Sequence, residues 1–347
     1  MRIARSLKMA AVLGVAATLA LTACTQKSQS EGGTAGGSGS APAGPIKVAF
    51  VPKLQGVPYF EAMNAGGQKA AAALGNVQWL YQGPTQADAG AQADIVRSFI
   101  QQKVNTLIVA PNDPDSMAPL LAEAKAQGIH VATADTDAPN SVREAFVNQA
   151  TADGIGQSLT DSLLKAMGGQ GKYAIVSCGQ TAENLNSWIK VQKAYTASKY
   201  PQVQIVDTVY AGEDQAKATQ MATDLMNAHP DLTGLVGECT SSAPGVAQAV
   251  QDANKTGKVF TVGLGTPQSM KPYLAKGSSS AAILWNVENL GYLAAWTGAQ
   301  LAENKPIADT NNVSADLPAI MYDATSKTLL LGPPLAITKD NVDQFNY

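Results

Sequence analysis

The sequence predicts an α/β fold of two doubly wound lobes, each with a parallel sheet, joined by a hinge. Two observations lead to this prediction. From residue 46 onward, short runs rich in β-branched residues alternate with amphipathic stretches of helical length, which is the pattern of βαβ units. The alternation occurs in two successive sets, one in each half of the chain, and this suggests an internal structural repeat.

The first set contains five predicted strands and three predicted helices. We predict strands at residues 46–51, 77–81, 106–110, 130–134 and 145–147, and helices at 59–74, 88–103 and 114–127. The third helix has the clearest ends, because Asp113 can cap its N-terminus, Pro114 suits its first turn and Gly128 follows its last turn.

The second set begins with a helix predicted at residues 150–167. Ile155, Leu159 and Leu163 recur every four residues in it and form an apolar stripe. Strands follow at residues 173–178, 202–210, 234–238, 259–263 and 281–285, and then a last long helix at 287–303. The tail over residues 317–347 is too apolar to be loose, so we expect it to pack against the rest of the protein.

These elements divide between two lobes. We assign residues 46–149 and 287–314 to the N-terminal lobe, and residues 150–286 and 315–347 to the C-terminal lobe. In doubly wound sheets the loops at the carboxyl ends of the strands gather at a topological switch point. Two such edges facing each other across a hinge would form a cleft, so the sequence predicts a ligand site between the lobes.

The N-terminus is typical of an export signal that ends in a lipobox-like sequence. Three basic residues precede an uncharged apolar stretch over residues 9–21, and small residues then precede Cys24. The apolar stretch is short for a permanent bilayer span. We therefore predict a signal peptide over residues 1–23 and lipid modification of Cys24. The alternative is an ordinary secretory signal with a chance cysteine.

Residues 24–45 have the composition of a flexible tether. They are rich in Gly, Ser, Ala and Pro and almost without bulky apolar residues, so they cannot bury a core. Their glycines do not form a nucleotide-binding loop, because no predicted strand precedes them and no predicted helix follows. We expect an exported protein, lipid-anchored to the outer face of the cell membrane or periplasmic, that contacts the membrane through the anchor only.

The composition argues against several classes of partner. The formal net charge is −3, and removal of the signal takes away three more cations, which does not suit nucleic-acid binding. The only two histidines are His130 and His229, and neither has Cys, Asp or Glu at ligand spacing, so we predict no metal site. We also expect no cofactor, and we expect a monomer.

Four segments carry a family resemblance. They are residues 47–53 (KVAFVPK), 56–60 (GVPYF), 83–85 (GPT) and 135–137 (DTD). In them the chain resembles the sugar-type (type I) periplasmic-binding proteins of ABC importers, and is most similar to their autoinducer-2 and rhamnose receptors. The resemblance runs from residue 46 to the C-terminus. It implies a receptor that closes on its ligand about a hinge and is recognised by an ABC permease with its ATPase subunit.

Five residues of the first lobe are candidate ligand contacts: Lys53, Tyr59, Phe60, Asp135 and Asp137. Aromatic rings suit the C–H face of a sugar, so we expect one of Tyr59 and Phe60 to contact ligand and the other to lie in the core. Asp135 follows an apolar strand, where its carboxylate can accept hydrogen bonds from two hydroxyls. The resemblance implies ligand contacts at Lys53 and Asp135. The alternatives are a solvated lysine at 53 and a turn former at Asp137.

The second lobe offers candidate contacts in the loops that follow its strands. They are Asn184, Asn186, Glu238, Thr240, Gly265, Trp285 and Asn286. Asparagine amides can donate to and accept from hydroxyls, although either Asn184 or Asn186 could instead cap a helix. Trp285 could be a second stacking surface or a core residue.

Cys178 and Cys239 form a candidate disulfide. They follow the first and third strands of the second lobe, which are neighbours in the usual 2-1-3-4-5 order. Parallel neighbours lie roughly 4.8 Å apart, within the ~4.4–6.8 Å Cα separation of disulfides, and an exported compartment is oxidising. Two buried free thiols are the alternative.

We therefore predict a lipid-anchored solute-binding protein of an ABC importer that captures a monosaccharide or sugar alcohol and is not an enzyme. Autoinducer-2 is the alternative ligand. Lys53 and Asp135 agree with the contact set of that receptor, but the acid, amide, proline and alanine found there are replaced by Asn184, Leu185, Glu238 and Thr240. A third interpretation, an extracellular α/β hydrolase, lacks a G-x-S-x-G motif, although paired carboxylates could still support a glycosidase.

Overall fold

The computed structural model describes residues 44–345 and residue 347. The predicted signal peptide, Cys24 and most of the predicted tether lie outside the described residues. Within the described part of the chain, no helix combines the length and the apolarity that a membrane span requires.

Strands and helices alternate along the described chain. The first half contains β1 (Ile46–Val51), α1 (Pro58–Leu74), β2 (Val77–Tyr81), α2 (Ala89–Gln101), β3 (Thr106–Val109), α3 (Pro114–Ala126), β4 (His130–Ala134) and β5 (Ala145–Asn148). Next come α4 (Ala152–Ala166), β6 (Gly171–Ser177), α5 (Glu183–Lys199), β7 (Val203–Tyr210), α6 (Gln215–Ala228), β8 (Gly234–Gly237), α7 (Ser242–Asp252), β9 (Phe260–Leu264), α8 (Pro267–Lys276) and β10 (Ala281–Leu284). The last elements are α9 (Val287–Ala302), β11 (Thr310–Asn311), β12 (Ile320–Asp323), β13 (Thr328–Leu330), β14 (Leu335–Ile337) and a 3-10 turn at Val342–Gln344.

The strands form two sheets, one in each lobe. The first has the order β11-β12-β13-β5-β4-β3-β1-β2, and the second has the order β14-β10-β9-β8-β6-β7. Both contain the doubly wound order 2-1-3-4-5 made of parallel strands. The predicted fold class, two mostly parallel α/β sheets with helices, is confirmed.

Helix α3 begins where its sequence signals place it. The carboxylate of Asp113 accepts a hydrogen bond from the backbone N–H of Ser116 at 2.8 Å, and α3 begins at the next residue, Pro114. In α4, the predicted stripe of Ile155, Leu159 and Leu163 has no exposed surface. This stripe faces the core of the second lobe, where α4 packs against α5 and β9.

Helix α9 belongs to the first lobe, although it follows the last parallel strand of the second. It packs along α1, and the two backbones approach closely at facing glycines. A Cβ added at Gly291 would overlap the backbone carbonyl of Met63, and one added at Gly66 would overlap that of Glu288. The chain therefore returns to the first lobe directly after β10.

The C-terminal segment completes both sheets, which corrects one predicted boundary. Strand β13 pairs in parallel with β5, with Leu329 opposite Val147, so β12 and β13 belong to the first sheet. Only β14 reaches the second sheet, where it pairs antiparallel to β10. The assignment of residues 315–347 to the C-terminal lobe is therefore wrong for β12 and β13. Short apolar strands can complete either sheet edge, so their sequence alone does not select the sheet.

Candidate ligand-binding site

A pocket lies between the two lobes, at the carboxyl ends of the parallel strands. Its free volume is about 40 Å³, room for a few water molecules. The first lobe contributes Lys53, Val57, Tyr59, Phe60 and Asp135. The segments of the second lobe contribute Asn184, Leu185, Trp188, Glu213, Glu238, Cys239, Thr240, Leu264, Leu284 and Trp285. Both lobes thus contribute polar and aromatic side chains to one space.

Asp135 fixes the polar side of the pocket in the first lobe. It follows β4 directly and has a φ of 65°, a left-handed conformation that Asp tolerates better than most residues. Its carboxylate accepts hydrogen bonds from the hydroxyl of Tyr59 at 2.7 Å and from that of Thr136 at 3.0 Å. The carboxylate is therefore oriented before any ligand arrives.

Lys53 connects the two lobes across the pocket. Its ammonium donates to the side-chain oxygen of Asn184 at 2.9 Å and lies 3.9 Å from the carboxylate of Asp135. The side chain is only 5 % exposed, so it is not the solvated surface lysine that was the alternative interpretation. A buried ammonium needs such partners because desolvation of an unpaired charge is costly.

Four aromatic side chains also line the pocket. Tyr59 packs edge-on against Phe60 and Trp285, with ring centroids 5.1 and 6.0 Å apart, and Trp188 packs at 6.0 Å from Trp285. The indole N–H of Trp285 donates to the Tyr59 hydroxyl at 3.2 Å. Burial, together with the neighbouring Asp135, raises the pKa of Tyr59 well above its usual value. Tyr59 therefore remains a protonated donor to Asp135.

Glu238 is the most enclosed ionisable group of the pocket. It follows β8 and has no exposed surface. Its two carboxyl oxygens lie 2.7 and 2.8 Å from the side-chain nitrogen of Gln192 on α5. Burial raises the pKa of Glu238 to about 8, and the hydrogen bond from Gln192 offsets only part of that rise. At neutral pH this carboxyl is therefore mostly protonated.

Glu213 is a pocket residue that the sequence analysis missed. It lies in the loop after β7 and accepts a hydrogen bond from the hydroxyl of Ser241 at 3.1 Å. Burial raises the pKa of Glu213, and the ammonium of Lys53 counteracts part of that rise. Its position after a strand of the second sheet is the signal that could have found it, because that loop reaches the same sheet edge.

Cys178 and Cys239 are joined in a disulfide beside the pocket. Strands β6 and β8 are parallel neighbours, and the Cα atoms of the two cysteines are 6.2 Å apart. The carboxylate of Glu213 lies 3.4 Å from the Cys239 sulfur. These three residues are close enough to be considered as metal ligands, but a sulfur in a disulfide is not the thiolate that metals bind.

The structure brings together most of the predicted ligand contacts. Those that line the pocket are Lys53, Tyr59, Phe60, Asp135, Asn184, Glu238, Thr240 and Trp285. Their role in binding stays a prediction. Leu185 and Trp188 also line the pocket, from the same helix as Asn184.

Four predicted contacts lie outside this pocket. Asp137 binds the guanidinium of Arg143 at 2.7 Å. Asn186 donates to the carbonyl of Gln180 at 2.8 Å, and Asn286 caps α9. Gly265 packs against α8, where an added Cβ would overlap the side chain of Met270. In three of these four residues, the polar side chain serves the local backbone or a local ion pair instead of the pocket.

Comparison with known proteins agrees with this architecture. The family model described as "Periplasmic binding protein domain" matches residues 48–306. The D-allose-binding periplasmic protein of Escherichia coli is 26% identical over 252 residues, which cover 70% of this chain and 80% of that protein.

Two solved structures are similar over nearly the whole folded body. LsrB from Clostridium saccharobutylicum in complex with AI-2 has a TM-score of 0.82 and 26% identity, over 87% of this chain and 100% of that chain. A solute-binding protein from Clostridium phytofermentas with bound L-rhamnose has a TM-score of 0.79 and 28% identity, over 88% and 99%. With a family match over most of its length, this chain belongs to the sugar-binding type of the periplasmic binding proteins, a family of non-enzymatic binding proteins.

Proposed function

We propose that this protein is a lipid-anchored, extracytoplasmic solute-binding protein of an ABC importer that captures a monosaccharide or sugar alcohol. The observation that carries the proposal is the network of Lys53, Asp135 and Asn184, which spans both lobes beside the aromatic side chains of the pocket. Such a pairing of polar groups with aromatic faces suits a ligand that has hydroxyls on its edges and C–H groups on its faces.

Binding uses closure of the two lobes about the hinge. In the structure, Lys53 contacts Asn184 across the cleft, and the hydroxyl of Thr181 donates to the carbonyl of Asn112 at 2.9 Å. With a free volume of about 40 Å³, the pocket must open for a sugar to enter. Ligand hydroxyls then take over part of the hydrogen bonding between the lobes, and this stabilises the closed state.

The relatives support a small sugar-like ligand. One of them is named for D-allose, and one similar structure holds L-rhamnose. The structure of LsrB with AI-2 supports autoinducer-2 as the second candidate ligand. Against it, Asn184, Glu238 and Thr240 still replace the groups expected in the second lobe of an autoinducer-2 receptor.

The partners follow from the same proposal. The closed form is recognised by an ABC permease with its ATPase subunit, and the receptor acts as a monomer without a cofactor. The proposed lipid on Cys24 keeps the receptor at the outer face of the membrane, where captured ligand is close to the permease.

Calorimetric titration of the purified receptor tests the proposal. The probes are D-allose, L-rhamnose, D-ribose, D-arabinose, xylitol and AI-2. We expect saturable one-to-one binding of at least one sugar or sugar alcohol. Binding of AI-2 alone would favour the second candidate ligand, and failure of every probe to bind would contradict both.

A further inference from the structure

Two buried carboxyl groups of the pocket have very different surroundings. Asp135 accepts hydrogen bonds from two hydroxyls and has the ammonium of Lys53 at 3.9 Å. Glu238 is more deeply buried, yet its oxygens contact only the neutral amide of Gln192. Within residues 44–345 and 347, no Lys, Arg or His forms an ion pair with Glu238.

The pocket as a whole has an excess of acidic groups. Its described lining contains three carboxyl groups, those of Asp135, Glu213 and Glu238, and a single basic side chain, Lys53. Lys53, which belongs to the first lobe, is already held by Asn184 and Asp135. The second lobe therefore contributes two acids to the pocket and no cation of its own.

A neutral ligand would leave this imbalance in place. A hydroxyl can donate a hydrogen bond to Glu238, but it brings no positive charge, so it does not offset the burial that keeps this carboxyl in its protonated form. An ammonium group brings the charge and three N–H donors at once. Hydrogen bonds between charged groups are also about twice as strong as those between neutral groups.

The aromatic side chains of the pocket favour the same kind of group. Tyr59, Trp188 and Trp285 all line the space that Glu238 faces. The faces of tryptophan and tyrosine rings attract cations, most strongly where water is excluded. Carboxyl groups and aromatic rings thus surround one small space. The single ammonium among its lining residues, that of Lys53, already has Asn184 and Asp135 as partners.

We propose that the pocket takes a sugar or polyol that carries a basic amine, with the ammonium on Glu238 and the hydroxyls on Asp135, Lys53 and Asn184. This inference rests on the proposed function and narrows its ligand class to amino sugars and amino polyols. The high pKa of Glu238 agrees with it, because a carboxyl whose cation arrives with the ligand has no cation to lower its pKa beforehand.

Matched pairs of probes test the inference. Each pair differs only by an amine in place of a hydroxyl: D-glucosamine and D-glucose, D-galactosamine and D-galactose, D-mannosamine and D-mannose, glucamine and sorbitol. L-rhamnose and xylitol are added as neutral probes. In calorimetric titration we expect at least one amine to bind about tenfold or more tightly than its hydroxyl counterpart. The N-acetylated form of the same amine, which has no charge, should lose that advantage.

Variants then assign the effect to Glu238. Glu238→Gln keeps the shape and the hydrogen bond to Gln192 but cannot ionise, so we expect the preference for the amine to fall to about threefold or less. Glu123→Gln, at an exposed residue of α3 that does not line the pocket, is the matched control and should keep the full preference. Thermal unfolding of both variants shows that they are folded.

The outcomes separate the inference from the proposed function. If neutral probes bind and no amine exceeds its hydroxyl counterpart, the inference is wrong while the sugar receptor stands. A preference that persists in Glu238→Gln would also overturn it, because the ammonium would then lie elsewhere. If neither amines nor neutral probes bind, both proposals fail.

Discussion

Asp135 shows how one backbone conformation positions the carboxylate of a candidate ligand contact. Asp135 directly follows β4 and has a left-handed backbone conformation. Its carboxylate accepts hydrogen bonds from Tyr59 and Thr136 and lies near the ammonium of Lys53. The same residue is therefore held by the first lobe while Lys53 links it to Asn184 of the second. Its side chain is central both to the preformed network and to the proposed ligand contacts.

Removal of this carboxylate should weaken ligand binding. We expect Asp135→Ala to raise the Kd for a bound sugar about tenfold or more, since at least one charge-assisted hydrogen bond is lost. Calorimetric titration measures this, with Asp94→Asn on an exposed part of α2 as the control. An unchanged Kd in a folded Asp135→Ala protein would remove Asp135 from the site.

Glu238 should make stability depend on pH. Its pKa rises from 4.5 to about 8 on folding, so ionisation opposes the folded state. Below pH 4.5 the protonated carboxyl contributes fully to the free energy of unfolding. This contribution is lost as the pH rises from 4.5 to about 8, and it remains absent at higher pH. Gln192 and Tyr173 are the polar groups that face it, and Tyr173 is uncharged throughout this range because burial raises its pKa to about 12.

Urea unfolding of the ligand-free protein at pH 5, 6.5 and 8 measures this dependence. We expect the free energy of unfolding of the wild-type protein to fall relative to that of Glu238→Gln as the pH rises, by up to a few kcal/mol. Parallel pH profiles for the two proteins would show that Glu238 ionises with an ordinary pKa.

The sequence predicts site residues well where a side chain directly follows a strand. Asp135, Glu238 and Trp285 lie at the pocket for this reason. Asn286 lies one residue beyond Trp285 and caps α9, because capping and ligand binding require the same kind of polar side chain. Glu213 was missed because it lies three residues beyond the end of β7, where the course of the loop decides which way a side chain points.

At the level of elements, the disulfide connects two loops that follow β6 and β8. Cys239 lines the pocket, and Cys178 holds its loop from the neighbouring strand. The link closes a sequence separation of 61 residues, which in the chain-entropy model stabilises the folded lobe by about 4 kcal/mol. It also limits how far the two loops can separate beside the pocket.

We expect no titratable thiol at these positions in protein prepared by its native export route. Thiol counting under denaturing, non-reducing conditions checks this, and the reduced sample should show two thiols. Reduction should also lower the unfolding temperature, with the double variant Cys178→Ser and Cys239→Ser matching the reduced protein. Two thiols in the unreduced sample would show that the bond does not form.

Most elements could be predicted because parallel strands and amphipathic helices have distinct periodicities. The β-rich run at 46–51 and the stripe of Ile155, Leu159 and Leu163 are examples. The C-terminal strands could not be assigned to a lobe in the same way. Strands β12 to β14 have only three or four residues each and complete sheet edges, so pairing partners far away in sequence decide their place.

At the scale of the whole molecule, the proposed lipid anchor would hold the receptor at the membrane. If Cys24 carries the proposed lipid, Cys24→Ser should move the protein from the membrane fraction to the soluble fraction without changing its Kd for ligand, because the tether separates lipid and body. Fractionation with mass measurement of the mature N-terminus checks this. A variant that stays in the membrane fraction would contradict the lipid anchor.

The central claim is that this two-lobed protein closes on a small hydroxyl-bearing ligand in the pocket between its lobes. A thermal unfolding screen against sugars, sugar alcohols, their amino derivatives and AI-2 tests it most directly. A true ligand at about 100 times its Kd stabilises the folded state by about 2.7 kcal/mol, so at least one sugar-like compound should raise the unfolding temperature of the wild-type protein, and much less so that of Asp135→Ala. If neither AI-2 nor any sugar, sugar alcohol or amino derivative raises the unfolding temperature, the claim is contradicted.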